Sequence, residues 1–325
     1  MIAVDDTTLG PGLGGVRWLT YPDEQAAADE ARRLARVMTL KNACADLPYG
    51  GAKSVILKDD PVATCNDADD ADARRQAQLR AFGRFVDGLG GTYIPGVDMG
   101  TSVEDLAVIG TVAEVSCDHK DPSPWTALGV FAGISASLSC TGISLPGAHV
   151  VVQGAGHVGA DLARRLAVAG CRISIADVDA ARACAVAREI GGRVIDPEAA
   201  VTAACDVLAP CATAKVVDRC TVDSLQCRIV AGGANDVLAT GDVAACLAQR
   251  GIVYVPDFVI NAGGVIQIHA VRSAWGPDKL EGSLLAIGDR VARIVSEAER
   301  TGRTPVAVAE EMASHRLGRP IGLLT

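Results

Sequence analysis

The stretch that most constrains the fold is His149-Val-Val-Val-Gln153-Gly154-Ala155-Gly156-His157-Val158-Gly159, followed by a helical run to Ala169 and a second apolar strand ending at Asp177. An apolar run of strand length that passes through GxGxxG straight into a helix reads as a strand-turn-helix unit. The first glycine permits the tight turn, the second leaves room for a pyrophosphate, and the third lets helix pack on strand. A bound anion would then lie at the helix N-terminus, where unpaired N–H groups point outward. The fingerprint alone is weak, but strand, fingerprint, helix, strand and acid in this order specify a dinucleotide site. Its candidate residues are Gly154, Gly156, His157, Val158, Gly159 and Asp177. Asp177 stands about twenty residues past the fingerprint, where a carboxylate accepts bonds from both ribose hydroxyls and repels a 2′-phosphate. NAD is expected rather than NADP.

The alternation continues with a helix near 180–190 and strands at Arg193-Val-Ile, Val207-Leu-Ala, Arg228-Ile-Val and Ile252-Val-Tyr-Val. That pattern is α/β, with a doubly wound parallel sheet. Two of the strands run into Gly232-Gly-Ala-Asn235 and Pro256-Asp-Phe-Val-Ile-Asn261-Ala-Gly-Gly264. Such turns fit the C-terminal edge of a parallel sheet, where cofactors bind. Asn235 and Asn261 read equally as turn residues that tolerate left-handed φ. Helical stretches at about 280–299 and 304–315 close the chain. The prolines of Asp121-Pro-Ser-Pro-Trp-Thr126 mark a domain junction, with a helix of small residues following from Trp125.

The segment before that junction centres on Met38-Thr-Leu-Lys41-Asn-Ala-Cys-Ala-Asp-Leu-Pro-Tyr-Gly50-Gly51-Ala52-Lys53. Six lysines stand against twenty-four arginines in the chain, so lysine is not its ordinary surface cation. The two lysines flank what reads as a turn-rich segment with paired glycines. A lysine acts as a base at neutral pH only when its pKa falls from about 10.4 to roughly 7–8, which burial and a nearby cation achieve. One lysine could hold an anion while the other moves protons; equally, the two could be unrelated surface groups. Residues 23–40 read as an amphipathic helix and Val55-Ile56-Leu57 as a short strand. Residues 60–73 read as an exposed loop, and about 72–88 as a helix. Met1 to Val4 is β-like but runs at once into the glycine turn Thr8 to Gly15. Asp98, in Gly96-Val-Asp98-Met-Gly-Thr101, reads as a turn or cap residue unless it reaches the lysines.

Composition narrows the partners. A net charge of −9 disfavours nucleic acid and anionic membrane, and no apolar run reaches the roughly 18 residues of a membrane helix. Eleven cysteines, an odd number without CxxC spacing or a His/Cys cluster, predict no metal site and a reducing cytoplasm.

With these residues laid out, the chain resembles the glutamate/leucine/phenylalanine/valine family of amino-acid dehydrogenases, and is most like the leucine and phenylalanine branch. The resemblance rests on Thr8-Leu-Gly-Pro-Gly-Leu13-Gly-Gly, Lys41 and Lys53 at their separation, Asp98-Met-Gly-Thr, Pro122-Ser-Pro-Trp-Thr126, the fingerprint, Ala209-Pro-Cys, and Ile260-Asn-Ala-Gly-Gly. It implies two domains with a cleft between them. A mixed-sheet α/β substrate domain would span 1–125, joined again by a C-terminal helix at about 304–325, and a Rossmann NAD-binding domain would span 126–303. It implies oxidative deamination of an L-amino acid to the 2-oxo acid and ammonia, the reverse reductive amination, and a homo-oligomer, dimer or higher. By matching positions Lys41 binds the substrate carboxylate, Lys53 is the base and Asp98 shuttles protons. Thr126, Asn235 and Asn261 lie by the nicotinamide ribose and amide. Leu13 stands where the glutamate enzymes place a lysine, so an acidic substrate side chain should be rejected, since an unpaired buried carboxylate costs several kcal/mol. The expected apolar pocket is Leu13, Gly14, Met38, Gly96, Val265 and Ile268. A reading of another class is a regulatory or scaffold protein that binds NAD without turnover; retention of Lys41, Lys53 and Asp98 together argues against it.

Overall fold

The chain folds into two α/β units, Met1–Lys120 with His315–Leu324 and Asp121–Ser314. They come from a computed structural model that describes residues 1–58, 68–115 and 121–322.

In the first unit β1 (Ile2–Asp6), β2 (Gly12–Leu19), α1 (Glu24–Cys44), β3 (Gly50–Leu57), α2 (Ala68–Asp87), β4 (Tyr93–Val97) and α3 (Val103–Ile109) follow in order. The sheet runs β1-β3-β2-β4, with β1 antiparallel to β3 and the other pairs parallel, so it is mixed. The Asp23 carboxylate caps α1 by accepting the Ala26 N–H at 2.8 Å. Helical spacing then buries Ala27, Ala31, Leu34 and Ala35 along one stripe. That stripe packs on β3. Val16, Trp18, Leu79, Val86, Tyr93, Leu106 and Ile109 form the core on another flank of the sheet.

The glycines of this unit differ from the sequence reading. Gly50 and Gly51 open β3 instead of forming a turn, and β2 starts at Gly12, inside the segment read as a glycine turn. The physical reason is close passage of neighbouring backbone. A Cβ on Gly51 would fall 2.2 Å from Thr39 N, one on Gly50 1.8 Å from Asp6 O, and one on Gly14 1.6 Å from Ala52 O. Of the exposed loop read at 60–73, residues 60–67 lie outside the described residues, and α2 already begins at Ala68.

The second unit contains α4 (Ser123–Cys140), β5 (His149–Gln153), α5 (His157–Val168), β6 (Arg172–Ala176), α6 (Ala180–Ile190), β7 (Arg193–Val194), β8 (Val207–Pro210), α7 (Arg219–Val222), β9 (Ile229–Val230), α8 (Val243–Gln249), β10 (Val253–Tyr254), α9 (Asp257–Ile260), α10 (Gly263–Arg272) and α11 (Pro277–Thr301). Its six strands pair in parallel in the order β10-β9-β8-β5-β6-β7. From β7 inward this is the doubly wound order, whose switch point lies between β5 and β8. β5, β8 and β9 are buried along both faces, as parallel strands between helical layers must be. The last helix, α12 (Pro305–Leu317), runs past Ser314. Beyond that residue Arg316 donates to Leu47 O at 3.0 Å and to Ala43 O at 3.2 Å, which ties the C-terminal segment to the end of α1.

Candidate active site

Lys53 sits in the middle of β3 with 6% of its surface exposed. Its ammonium Nζ is 2.6 Å from Asp98 Oδ2, and Arg17 Nε from β2 donates to that same oxygen at 2.9 Å. Burial holds the Lys53 pKa below the ordinary lysine value, and the Arg17 charge pushes the same way, against Asp98 and Glu30. Burial works to raise the Asp98 pKa, but Lys53 and Arg17 outweigh it and bring it down to about 2. The site therefore holds a firmly ionised carboxylate beside a lysine biased toward its neutral form.

Asp98 is aimed by the turn that carries it. Its N–H donates to Thr101 Oγ1 at 3.0 Å, and the Thr101 hydroxyl lies 2.8 Å from Val16 O, tying the turn to β2. Arg75 donates to Gly100 O at 2.9 Å and to both Asp105 oxygens, and its guanidinium lies 4.2 Å from the Trp18 ring centroid. On Gly15 a Cβ would fall 2.6 Å from Asp98 Cβ and 3.2 Å from Lys53 Nζ, so only glycine lets the pair come together. Below it the buried Tyr93 hydroxyl lies 2.7 Å from Ser54 Oγ and 3.1 Å from Gly14 O. Asp98 is thus not a cap; its carboxylate reaches Lys53.

Lys41 lies in the last turn of α1 and is buried, where a cation complements the helix C-terminus. Leu13 in β2 is 1% exposed, and Gly14 and Gly96 are buried in β2 and β4. Met38 is half-buried on α1. The residues that sequence reasoning missed are Arg17 and Glu30. Glu30 accepts from Arg17 Nη1 at 2.7 Å and from Arg33 Nη2 at 2.8 Å. The available signal was a single cation inside the apolar strand Val16-Arg17-Trp18.

In the second unit each fingerprint glycine has a separate geometric task. Gly154 has φ +105°, a conformation side chains resist. A Cβ on Gly159 would fall 1.9 Å from Gly154 O, so α5 must meet the loop there without a side chain. Around Gly156, at the head of α5, a Cβ would meet nothing within 4 Å. Asp177, at the end of β6, accepts the Ala155 N–H at 2.6 Å and the Asp179 N–H at 2.8 Å. It braces the loop as well as offering its remaining lone pairs. His157 is exposed, its Nδ1 2.7 Å from Asp121 Oδ2, and Val158 packs on Gly233.

Asn261 is buried and its Nδ2 donates to Asn235 Oδ1 at 2.8 Å and to Ala234 O at 3.3 Å. Its Oδ1 and Gln153 Oε1 are buried acceptors without a donor among the described residues. Thr126, on α4, lies against Gly263 and Gly264 at the start of α10, the helix that carries Val265 and Ile268. A dinucleotide fits these features. The open space at Gly156 suits a pyrophosphate on the α5 N-terminus, the Asp177 carboxylate suits ribose hydroxyls, and the orphaned amide oxygens suit the N–H groups of a carboxamide. No group of three or more His, Cys, Asp or Glu residues that could hold a metal occurs among the described residues.

Comparison with known proteins agrees with this geometry. The family model for the Glu/Leu/Phe/Val dehydrogenase dimerisation domain matches residues 1–114, and that for Glutamate/Leucine/Phenylalanine/Valine dehydrogenase matches residues 179–317. Leucine dehydrogenase of Thermoactinomyces intermedius is 36% identical over 326 residues, covering 98% of this chain and 86% of its own. L-tryptophan dehydrogenase of Nostoc punctiforme is 38% identical over 324 residues, covering 98% of this chain and 89% of its own. A crystal structure of L-tryptophan dehydrogenase from Nostoc punctiforme superposes with a TM-score of 0.82 at 36% identity, over 98% of this chain and 90% of that one.

Proposed function

Because the chain belongs to the Glu/Leu/Phe/Val dehydrogenase family, enzymes that act on the CH–NH2 group of amino acids, we propose that it oxidises an apolar L-amino acid with NAD. The products are the 2-oxo acid and ammonia, and the reverse reaction is reductive amination. The observation that carries this reading is the buried Lys53–Asp98 pair.

NAD, when bound, supplies the hydride acceptor. Lys41 holds the substrate α-carboxylate, an anion that needs a fixed cation in a dry site. Lys53, inclined to its neutral form, takes a proton from the water that adds to the imine carbon. Asp98 keeps Oδ2 on Lys53 and Arg17, and its carboxylate exchanges protons with the amine. In the first unit Leu13, Met38 and Gly96 receive the side chain, and Leu13 excludes a carboxylate for want of a counter-charge. Thr126, Asn235 and Asn261 orient the nicotinamide end, and Asp177 selects NAD over NADP.

The enzyme acts as a homo-oligomer, a reading supported by the match of the first unit to a dimerisation domain. It works in the cytoplasm, consistent with nine free cysteines among the described residues. None of the described helices is long and apolar enough to cross a membrane.

The test is a panel of leucine, valine, phenylalanine, tryptophan and glutamate with NAD at alkaline pH, read by NADH absorbance. One of the apolar substrates should turn over, and glutamate should not. Glutamate as the best substrate, or turnover with none of the panel, would refute the reading.

A further inference from the structure

We propose that Arg17 is a positioning residue that sets the charge balance of the Lys53–Asp98 pair, and that Glu30 sets the strength of Arg17. The proposal deepens the function proposed above by naming what makes Lys53 a base.

The geometry is a chain of alternating charges across four elements. From β3 comes Lys53, from the turn after β4 comes Asp98, from β2 comes Arg17, and from α1 come Glu30 and Arg33. The phenols of Tyr21 and Tyr93 also feel this cluster, and burial raises both of their pKa values. Lys53 and Arg17 share one oxygen, Asp98 Oδ2, and both cations are largely buried. A carboxylate shared with a second cation binds the lysine proton less strongly than one left to lysine alone, and Arg17 also repels the ammonium directly. Guanidinium is the group suited to this place, because it stays charged at any pH of interest and its planar fork reaches Asp98 and Glu30 at once. Arg17 itself touches neither proton in transit.

The opposing neighbours give the proposal a signed test. Removing the Arg17 charge raises the Lys53 pKa. Removing the Glu30 charge lowers it, since Glu30 favours the ammonium and screens Arg17. A role confined to holding the fold would not move the two variants in opposite directions.

The experiment uses the full chain labelled with [13Cε]lysine. Six lysines give few resonances, and Lys53→Ala assigns the one of interest. The Lys53 titration midpoint is followed by NMR in the wild type, Arg17→Met, Arg17→Lys and Glu30→Gln. The expected result is a rise of about 1 to 3 pH units in Arg17→Met, the usual effect of one charge at such range. Arg17→Lys should restore most of the wild-type midpoint, and Glu30→Gln should lower it. In parallel, kcat for Arg17→Met should fall near neutral pH and recover as pH rises, with KM little changed. An unmoved midpoint in Arg17→Met, or a loss of kcat that is the same at every pH, overturns the proposal. If Arg17→Met does not fold, Glu30→Gln decides: a lowered midpoint supports the network and an unchanged or raised one overturns it. The NMR titration needs no turnover, so it separates this proposal from the choice of substrate.

Discussion

Asp98→Asn is the substitution whose consequences the structure fixes most closely. Asparagine keeps the shape of the side chain and removes its charge. The Asp98 pKa lies near 2, against an ordinary 3.8. A depressed carboxylate favours the folded state above its unfolded pKa, and that contribution is lost as pH falls through the folded value. A depression of roughly two pH units at about 1.4 kcal/mol each gives about 2 to 3 kcal/mol at pH 7. Asp98 is little exposed, with 17% of its side chain accessible, so solvent screening removes only part of this. Urea unfolding at pH 7, 4 and 3, followed by tryptophan fluorescence, measures it. Trp18, buried in the core beside this site, reports on the first unit. The variant should be less stable by this amount at pH 7 and nearly so at pH 4, with the gap falling to roughly half at pH 3 as the unfolded chain takes up its proton and vanishing only below about pH 2, where the folded wild type is protonated too. Turnover should fall by about 10²–10⁴, the usual worth of a placed acid or base. A variant as stable as the wild type at pH 7, or a gap that stays constant down to pH 3, would refute the reasoning.

The glycines offer further tests. Gly156 has φ −70° and open space around it, so Gly156→Val, at the N-cap of α5, should cost no more than about 1 kcal/mol of unfolding free energy while NAD affinity in calorimetry falls on the order of tenfold or more. Gly159→Ala, with a Cβ 1.9 Å from Gly154 O, should cost about 1–3 kcal/mol of stability in the same unfolding assay. Gly15→Ala would press on Asp98 and Lys53, so kcat/KM should fall by about 100-fold with NAD affinity unchanged.

The nucleotide-binding unit was legible because its sequence signals are local. The strand His149–Gln153, the helix at 180–190 and the glycines between them each carry their reason within a few residues. The first unit hid more. Gly12, Gly14, Gly50 and Gly51 look like turn residues in sequence, and only the register of β2 on β3 reveals that they let backbones pass. The short helix α3 begins with a Ser102 and Asp105 capping box that the reading passed over. Lys53 stands out by residue type, as one of six lysines in an arginine-rich chain, whereas Asp98 reads as a turn or cap residue and takes a catalytic role only from the family resemblance. Arg17 is one of twenty-four arginines, and its 81-residue separation from Asp98 gives no local sign of their bond. A tertiary ion pair of that kind becomes visible only once the strands are in register.

The account rests on Lys53 as the base of a dehydrogenase, and Lys53→Ala tests it most directly when turnover and NAD binding are measured on the same protein. The prediction is a loss of several orders of magnitude in NADH formation from the best apolar amino acid, with calorimetric NAD affinity kept. Turnover near the wild-type rate in that variant would contradict the assignment.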